Sequence, residues 1–223
     1  MSPASLPGRT AGCPAAGGVS AAAITGLVLA AGGSKRLGQP KQLLPYGPLP
    51  LLAHVLQTAR RCDFHQLVCV LRGGAREVLE RIDFDGVTVV ENRHFGGGCS
   101  SSIAAALNAV DTRSESLILL LGDQPGVSAA TVAALIEHGA RAPLAACRYR
   151  DGRGHPLMFA RAMFGELAEL HGDKGVWRLL DRHGEDLVEV PVGGRVPLDV
   201  DTWEDYESVL AAAASPAGYP EPR

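Results

Sequence analysis

Short apolar runs alternate with helical patterns along the chain from residue 24 onward. Most of these runs are continuous rather than alternating, which is typical of strands buried on both faces of a parallel sheet. They predict four strands, at residues 24–30, 66–72, 86–91 and 116–122. Helical patterns lie between and after them, at residues 50–61, 74–82, 100–110 and 128–139. This order predicts βαβ units on a mostly parallel sheet.

The second half of the chain is less regular. Residues 143–164 contain two strand-like runs joined by the polar turn RDGRG, which predicts a hairpin at the edge of the sheet. A helix beginning at Asp173, a strand over residues 186–192 and a last helix beginning at Trp203 follow. No internal repeat or linker divides the chain. We therefore expect one α/β domain over residues 23–214, with a three-layer, doubly wound and mostly parallel sheet.

The two ends of the chain differ from the rest in composition. Residues 1–22 consist largely of Pro, Ala, Gly and Ser, and residues 215–223 are polar and contain proline. Neither segment offers many apolar side chains for burial. We predict a disordered N-terminal tail over residues 1–22 and a C-terminal tail over residues 215–223.

Charge, apolar run length and cysteine usage limit the partners and the location. The formal net charge of −3 gives no diffuse attraction for nucleic acid or for an anionic membrane, so we expect neither as a partner. The longest apolar runs are far shorter than the ~20 residues that span a bilayer. The five cysteines are an odd number without a CxxC pair, which favours reduced thiols and a cytoplasmic location.

The loop after the first strand, GGSKRLGQPK, carries the most distinctive chemistry. Its Gly33-to-Gly38 spacing resembles a Walker-type phosphate loop, but Gln39-Pro40 replaces the lysine and hydroxyl that such a loop requires. A Rossmann fingerprint fits poorly, because the glycines are adjacent and the second strand ends without an acidic residue. Arg72 at that strand end could still contact the 2′-phosphate of NADP, so this alternative stays open, as does a plain surface turn.

A third interpretation is a loop that binds a nucleoside triphosphate. The glycines let backbone amides approach phosphate oxygens, and Arg36 and Lys41 can neutralise the phosphate charge. We expect both cations to lie on a surface loop.

Acidic residues occur at two further points. Asp123 directly follows a buried strand, where open α/β sheets bind their ligands. Asp199 and Asp201 alternate in an extended segment and so face the same way. Each could be a simple turn or helix cap. Together they suit Mg²⁺, which commonly takes one or two carboxylates plus substrate phosphates.

Two more segments are rich in polar groups. ENRHFGGGCSSS places glycines and serines at a helix start, where donors can meet an anion or a heterocycle. GRGHP contains His155, and HGDKG contains Asp173 and Lys174. The simpler alternatives are an ordinary capped helix for the glycine–serine segment, a core position for His155 and a helix cap at Asp173.

Six motifs between residues 24 and 210 together resemble the MobA/MocA-like NTP transferases, the nucleotidyltransferases of the molybdenum cofactor. The family loop LAAG-x-S-x-R-x-G-x-x-K fits at Leu29, Ala30, Ala31, Gly32, Ser34, Arg36, Gly38 and Lys41. The later matches are GDQP at Asp123, the glycine–serine turn, RGHP, GDKG and the DVDT segment. Arg93, Phe95 and Trp203 replace a proline, a tryptophan and a proline of the family pattern.

The resemblance implies a fold like that of the nucleotide-diphospho-sugar transferases, itself Rossmann-like. It implies a magnesium-dependent transfer of CMP from CTP to molybdopterin, with CTP favoured over GTP because LAAG is typical of the cytidylyl branch. A molybdoenzyme would be a possible client. The open alternatives are an NAD(P)H-dependent oxidoreductase on the same scaffold and a non-catalytic chaperone for the cofactor.

The resemblance also assigns roles to residues. The catalytic residues would be Arg36, Lys41 and Asp123, and the metal ligands Asp123, Asp199 and Asp201. The acceptor side would include Asn92, His155, Asp173 and Lys174. The nucleotide would be bound by Leu29, Ala30, Ala31, Gly32, Gly33, Ser34, Arg36, Lys41, Gly98 and Ser102.

Overall fold

The structure, a computed structural model, describes residues 23–94 and 98–214. Both predicted tails and Phe95 of the glycine–serine turn lie outside the described residues. The strands are β1 Ile24–Ala30, β2 Pro45–Tyr46, β3 Leu49–Pro50, β4 Gln66–Arg72, β5 Thr88–Asn92, β6 Ser116–Leu121, β7 Leu144–Tyr149, β8 Gly152–Ala160 and β9 Leu187–Pro191. The α-helices are α1 Leu51–Arg60, α2 Arg76–Arg81, α3 Gly98–Leu107, α4 Ala129–Gly139, α5 Phe164–Ala168, α6 Gly175–Arg182 and α7 Trp203–Ala214.

Seven of these strands form one sheet in the order β5-β4-β1-β6-β8-β7-β9. Neighbouring strands pair in parallel except at β8, which is antiparallel to β6 and β7. The chain therefore winds outward from β1 in both directions, with β4 and β5 on one side and β6 on the other. The predicted mostly parallel, doubly wound α/β sheet is confirmed. No helix among the described residues combines the length and the apolar character needed to cross a membrane.

Helices cover the sheet on both faces. Side chains alternate along a strand, so Val28 and Leu27 of β1 lie in different apolar clusters. The cluster around Val28 includes residues of α1, α2 and α4, and the cluster around Leu27 includes residues of α3, α5 and α6. This burial on two sides explains why all seven residues of β1 are buried, and it gives the three predicted layers.

A third, smaller cluster joins the loop after β1 to the C-terminal helix. Leu37 and Leu44 from the loop region pack there with Val200 and Val209. The hydroxyl of Tyr206 in α7 donates to the carbonyl of Pro45 at 2.5 Å. The last part of the described chain therefore returns to the loop that follows the first strand.

The predicted hairpin is present as β7 and β8, but its place at the sheet edge was wrong. β8 pairs with β6, and β7 pairs on its other side with β9, which is the edge strand. The physical reason is visible in the burial of the strands. Leu144, Ala145, Ala146 and Cys147 of β7 are fully buried, as suits an interior strand, whereas three of the five residues of β9 are exposed.

Gly122, between β6 and Asp123, allows the ends of β6 and β1 to approach closely. A Cβ atom there would lie 2.8 Å from Cβ of Ala30 and 3.1 Å from the carbonyl oxygen of Leu29. We expect Gly122→Ala to lower the free energy of unfolding by about 1–3 kcal/mol, because overpacking against these fixed atoms requires backbone shifts. Urea denaturation would measure this.

Gly165→Ala is the matched control. Gly165 lies in α5 with open space around it, so the exchange should leave the free energy of unfolding unchanged or raise it by up to about 1 kcal/mol. Equal denaturation midpoints for Gly122→Ala and the parent would contradict the packing argument.

Candidate active site

An open cleft of about 680 Å³ lies at the carboxyl ends of the central strands. Leu29 of β1 and Leu121 of β6 contribute to its lining, together with Asp123, Asp199 and Asp201. We call it the aspartate cleft after these three residues. Its position agrees with the edge at which open α/β sheets bind ligands, because loops that follow parallel strands meet there.

The ammonium group of Lys41 lies between two of the aspartates. Nζ donates to Asp123 Oδ2 at 2.5 Å, to Asp201 Oδ1 at 2.8 Å and to the Val200 carbonyl oxygen at 2.9 Å. Lys41 is only 8% exposed, so the expectation that it lies on a surface loop was wrong. The chain forms a single 3-10 turn at Lys41–Leu43, and this turn directs the lysine inward to the oxygens of Asp123, Val200 and Asp201.

Charge interactions within this cluster shift the pKa values of Lys41 and Asp201. Burial by itself would lower the pKa of Lys41, but the charges and hydrogen bonds of Asp123 and Asp201 outweigh it and raise that pKa. The hydrogen bond from Lys41 is the main cause of the lowered pKa of Asp201. Arg36 adds a second contact, with Nη2 at 2.8 Å from Asp201 Oδ2. Its side chain is 64% exposed, which agrees with the expectation for this second cation.

Asp199 lines the same cleft, but Lys41 donates its hydrogen bonds to Asp123 and Asp201 instead. Burial, followed by the negative charge of Asp123, raises the pKa of Asp199 to about 6. A cation bound beside Asp199 would relieve this repulsion. Among the described residues, no three His, Cys, Asp or Glu side chains are arranged to hold a metal by themselves. The donors do fit Mg²⁺ with one or two carboxylates plus phosphate oxygens, and the metal-ligand assignment stays a prediction.

The glycine loop forms one wall of the aspartate cleft. Ala31, Gly32 and Gly33 line it, whereas Ala30 is buried and its carbonyl accepts from Gln42 Nε2 at 2.6 Å. Ser34 has a positive φ of 48°, and its Oγ accepts from the backbone N–H of Lys41 at 2.9 Å. Ala30 and Ser34 thus shape the loop, and the glycines present its backbone to the cleft.

A second wall of the cleft comes from the start of α3, which Asn92 helps to order. Asn92 is 2% exposed, and its Nδ2 donates to Ser101 Oγ and Ser102 Oγ at 2.9 and 3.1 Å. Ser102 and Gly98 line the aspartate cleft, and Asn92 does not. The structure therefore brings two of these three predicted residues to the cleft and places Asn92 behind them.

Asp173 connects this wall to α6. We expected Asp173 to begin its own helix, but α6 begins at Gly175, and Asp173 Oδ1 accepts from the backbone N–H of Cys99 at 3.0 Å. Gly98 has φ +70°, and a Cβ there would lie closer than 3.0 Å to Asp173, so this contact depends on glycine. Asp173 lines the cleft, whereas Lys174 is exposed outside its lining.

His155 of β8 also lines the aspartate cleft. Its ring contacts Trp177 edge to face, with centroids 5.4 Å apart. The residue is 7% exposed, and burial lowers the pKa of the imidazole to about 4, so the ring is neutral at physiological pH. His155 thus combines the two interpretations that the sequence left open, because it is buried and also lines the cleft.

The cleft residues that the sequence reasoning missed include Cys99 and Gln124, and each lies within or beside a motif that was noticed. For Trp177 the sequence favoured a packing residue over a stacking platform; its ring contacts His155 and also lines the cleft.

A second cleft, of about 550 Å³, adjoins the first across the glycine loop. It shares Gly32, Gly33 and Lys35 with the aspartate cleft, and on its other side it is lined by Arg72 and Arg76. We call it the basic cleft after Lys35, Arg72 and Arg76. The loop is therefore exposed to a ligand on both of its sides.

With this geometry in place, the sequence matches the MobA-like NTP transferase domain over residues 26–187. The match covers well over half of the chain and runs from β1 to the start of β9. The chain belongs to the MobA-like NTP transferase family, a class of nucleotidyltransferases.

Individual relatives extend this comparison. A homologue of Mycobacterium tuberculosis Rv0371c from Mycobacterium sp. strain JC1 is 51% identical, with a TM-score of 0.79 over 85% of this chain and 96% of that one. Rv0371c of M. tuberculosis, solved in complex with manganese, is 46% identical, with a TM-score of 0.76 over 85% and 98% of the two chains. Nicotine blue oxidoreductase from Paenarthrobacter nicotinovorans is 32% identical over 83% of this chain and 93% of its own length.

We expect Lys41→Met to lower the free energy of unfolding by about 3 kcal/mol, because it leaves the poorly exposed carboxylate of Asp123 without its cation. Lys35→Met is the matched control, since Lys35 is exposed at the rim of the same cleft. Urea denaturation at pH 7 compares the two variants with the parent. Identical midpoints for both variants would show that the Lys41 cluster contributes nothing to stability.

His155 should make stability depend on pH in a defined window. Its pKa is about 4 in the folded state and about 6.5 when unfolded, so below pH 6.5 the unfolded state binds a proton that the folded state does not. The contribution of His155 to the free energy of unfolding should then fall by up to about 1.4 kcal/mol per pH unit as pH drops from 6.5 to 4. The raised pKa of Asp199 acts in the opposite direction in this window, but it is common to the parent and to the histidine variants, so their difference reports His155. Thermal melts across this range should show a shallower fall for His155→Gln. The exposed control His138→Gln should follow the parent, and parallel curves for all three proteins would refute the assignment.

Proposed function

We propose that this protein is a magnesium-dependent nucleotidyltransferase that transfers CMP from CTP to a molybdopterin-type acceptor. The observation that carries the proposal is the contact of Lys41 with Asp123 and Asp201 beside the Gly32–Gly33 loop. A glycine loop, cations and carboxylates at the carboxyl edge of the sheet are what binding a triphosphate and its metal requires. Membership in the MobA-like NTP transferase family supports the same reaction class.

The nucleotide phosphates would lie along the glycine loop. Gly32 and Gly33 have no side chains that would block a phosphate from their backbone, and Arg36 and Lys35 bring positive charge to the rim. The LAAG sequence at Leu29–Gly32 supports CTP rather than GTP, through its resemblance to the cytidylyl branch of the family.

Asp123 and Asp199 are the best-suited metal ligands. Both carboxylate oxygens of Asp201 already accept hydrogen bonds, one from Lys41 and one from Arg36. Asp199 keeps a raised pKa that a cation would lower. The manganese complex of the relative Rv0371c supports a divalent ion here. Bound magnesium would neutralise charge that develops on the α-phosphate and on pyrophosphate.

The transfer itself requires little covalent chemistry from the protein. A phosphate oxygen of the acceptor attacks the α-phosphorus of CTP and forms a new P–O bond. The bond from that phosphorus to the oxygen bridging to the β-phosphate breaks, and pyrophosphate leaves with the electron pair. The attacking phosphate is already ionised, so no protein base is needed, and the residues act by positioning and charge neutralisation.

The acceptor would occupy the part of the aspartate cleft beside His155 and Trp177. There a neutral His155, the ring of Trp177 and the start of α3 form a wall that suits a flat heterocycle. Asp173 would act by holding that wall in place, and Asn92 by ordering Ser102. A cytoplasmic location belongs to the same proposal and is supported by the four free cysteines among the described residues.

The direct test is pyrophosphate release by the purified protein with each of the four common NTPs, with magnesium and molybdopterin. We expect release with CTP and much less with GTP, ATP or UTP. No release with any nucleotide would refute the proposed function.

Asp123→Asn should reduce turnover by orders of magnitude, because the amide cannot hold the metal that stabilises the developing charge. Nucleotide affinity should also lose its dependence on magnesium. Isothermal titration with CTP at several magnesium concentrations measures this second effect independently of turnover. Asp186→Asn, a change at an exposed aspartate outside both clefts, should behave as the parent. Near-parental activity of Asp123→Asn at limiting magnesium would place the metal elsewhere.

A second candidate function has one observation in its favour. The 32% identical relative is named an oxidoreductase, and the alignment covers nearly all of that protein. The aspartate cleft could then receive a nicotinamide nucleotide, with a flat substrate at His155 and Trp177. Thermal shifts with NADPH and with CTP separate the two candidates, because a bound ligand stabilises the folded state in proportion to RT ln(1 + [L]/Kd). Stabilisation by NADPH and none by CTP would favour the oxidoreductase.

A further inference from the structure

The two clefts beside the glycine loop differ in charge. Four aspartates and two cations line the aspartate cleft. The basic cleft has the opposite balance, with three cations and one glutamate, Glu77. Glu77 pairs with Arg81 and Arg76 pairs with Glu80, so Lys35 and Arg72 account for the excess. In the aspartate cleft, Lys41 and Arg36 already pair with Asp123 and Asp201, and a metal would offset the negative charge that remains. On the other side of the same loop a polyphosphate meets an excess of positive charge.

Arg72 connects the basic cleft to the loop. It is the last residue of β4, which pairs in parallel with β1, so it lies beside the segment that follows β1. Its Nη1 would be 3.3 Å from a Cβ atom placed on Gly33. The guanidinium therefore lies close to the loop at Gly33, and a Cβ atom there would displace it by a few tenths of an ångström.

Lys35 completes the arrangement, because it is exposed and lines both clefts. Its Cγ lies 3.9 Å from the same Cβ position on Gly33. Lys35 and Arg72 thus flank Gly33, the point where the two clefts meet. Arginine and lysine are the residues that most often bind phosphate oxygens in proteins, arginine by its planar fork of donors.

We propose that the basic cleft is a diphosphate-binding site that receives the β- and γ-phosphates of the nucleoside triphosphate, with Arg72 and Lys35 as its binding residues. The inference rests on the proposed function for the identity of the nucleotide. The α-phosphate lies over the aspartates, and the remaining phosphates cross Gly32 and Gly33 into the basic cleft. The leaving pyrophosphate is then drawn away from the carboxylates rather than held among them.

The first experiment uses inorganic pyrophosphate alone, titrated calorimetrically into the full chain in EDTA. We expect binding by the parent and at least a tenfold weaker affinity for Arg72→Ala and for Lys35→Ala, each of which loses a charge-assisted phosphate contact. Arg141→Ala is the matched control, since Arg141 is exposed and lines neither cleft. Failure of the parent to bind, or unchanged affinity in both cleft variants, overturns the proposal. Lys35 is exposed, so its variant keeps the test decisive even if Arg72→Ala folds poorly.

The second experiment identifies which phosphate occupies the basic cleft. The affinity ratio of CTP to CMP should fall about tenfold or more in Arg72→Ala, while the ratio of NADPH to NADH stays at the parental value. The reverse result would assign the cleft to the 2′-phosphate of a dinucleotide and overturn the triphosphate assignment. Unchanged ratios in both pairs would overturn it as well.

Failure of this inference is distinguishable from failure of the proposed function. Suppose that CTP supports pyrophosphate release, but substitution of Arg72 and of Lys35 leaves the affinity for pyrophosphate unchanged. The inference is then wrong and the proposed function stands. Pyrophosphate binding that depends on Arg72, without turnover of any NTP, supports the diphosphate site and removes the transferase.

Discussion

The ammonium group of Lys41 holds three parts of the chain in one place. Its partners Asp123 and Asp201 lie 82 and 160 residues away in sequence, and they come from the end of β6 and from the segment before α7. The backbone N–H of Val200 also donates to the carbonyl of Asp123, so the two acidic segments are joined to each other as well as to the lysine. This one ammonium group therefore fixes the glycine loop, the end of β6 and the segment before α7 around the cleft.

The fold was predictable from sequence because its strongest signals are local. Continuous apolar runs identify β1, β4 and β6 as interior strands, and the loops after parallel strands must meet at one edge. That reasoning alone brings Asp123 and the glycine loop together. The burial of Lys41 could not be read in the same way, because its neighbours in sequence are glycines and polar residues typical of a surface loop. Its burial depends on oxygens that arrive from the far end of the chain.

Two other contacts were hidden for a related reason. Asp173 directly precedes a helix in the sequence and looks like its cap, yet it accepts from Cys99 at the start of α3, 74 residues earlier. Arg72 ends a strand in a position that suggested a 2′-phosphate contact, but its approach to Gly33 follows from the pairing of β4 with β1. In each case the residue type indicated the chemistry, but the residue that it contacts could not be predicted from the sequence. Local patterns predict which groups are available, whereas strand order decides what they meet.

The return of the C-terminal segment to the first loop also affects how the protein can fold. Val200 and Asp201 complete the cluster around Lys41, and Tyr206 bonds to Pro45 across 161 residues. During synthesis, the sheet from β1 to β6 can pair before this segment has been made, but the cleft cannot close. Contacts of such large sequence separation form slowly, because the intervening chain must be ordered first. A nascent chain would therefore form its core early and would become able to bind ligand only after the segment from Val200 to Tyr206 has been made.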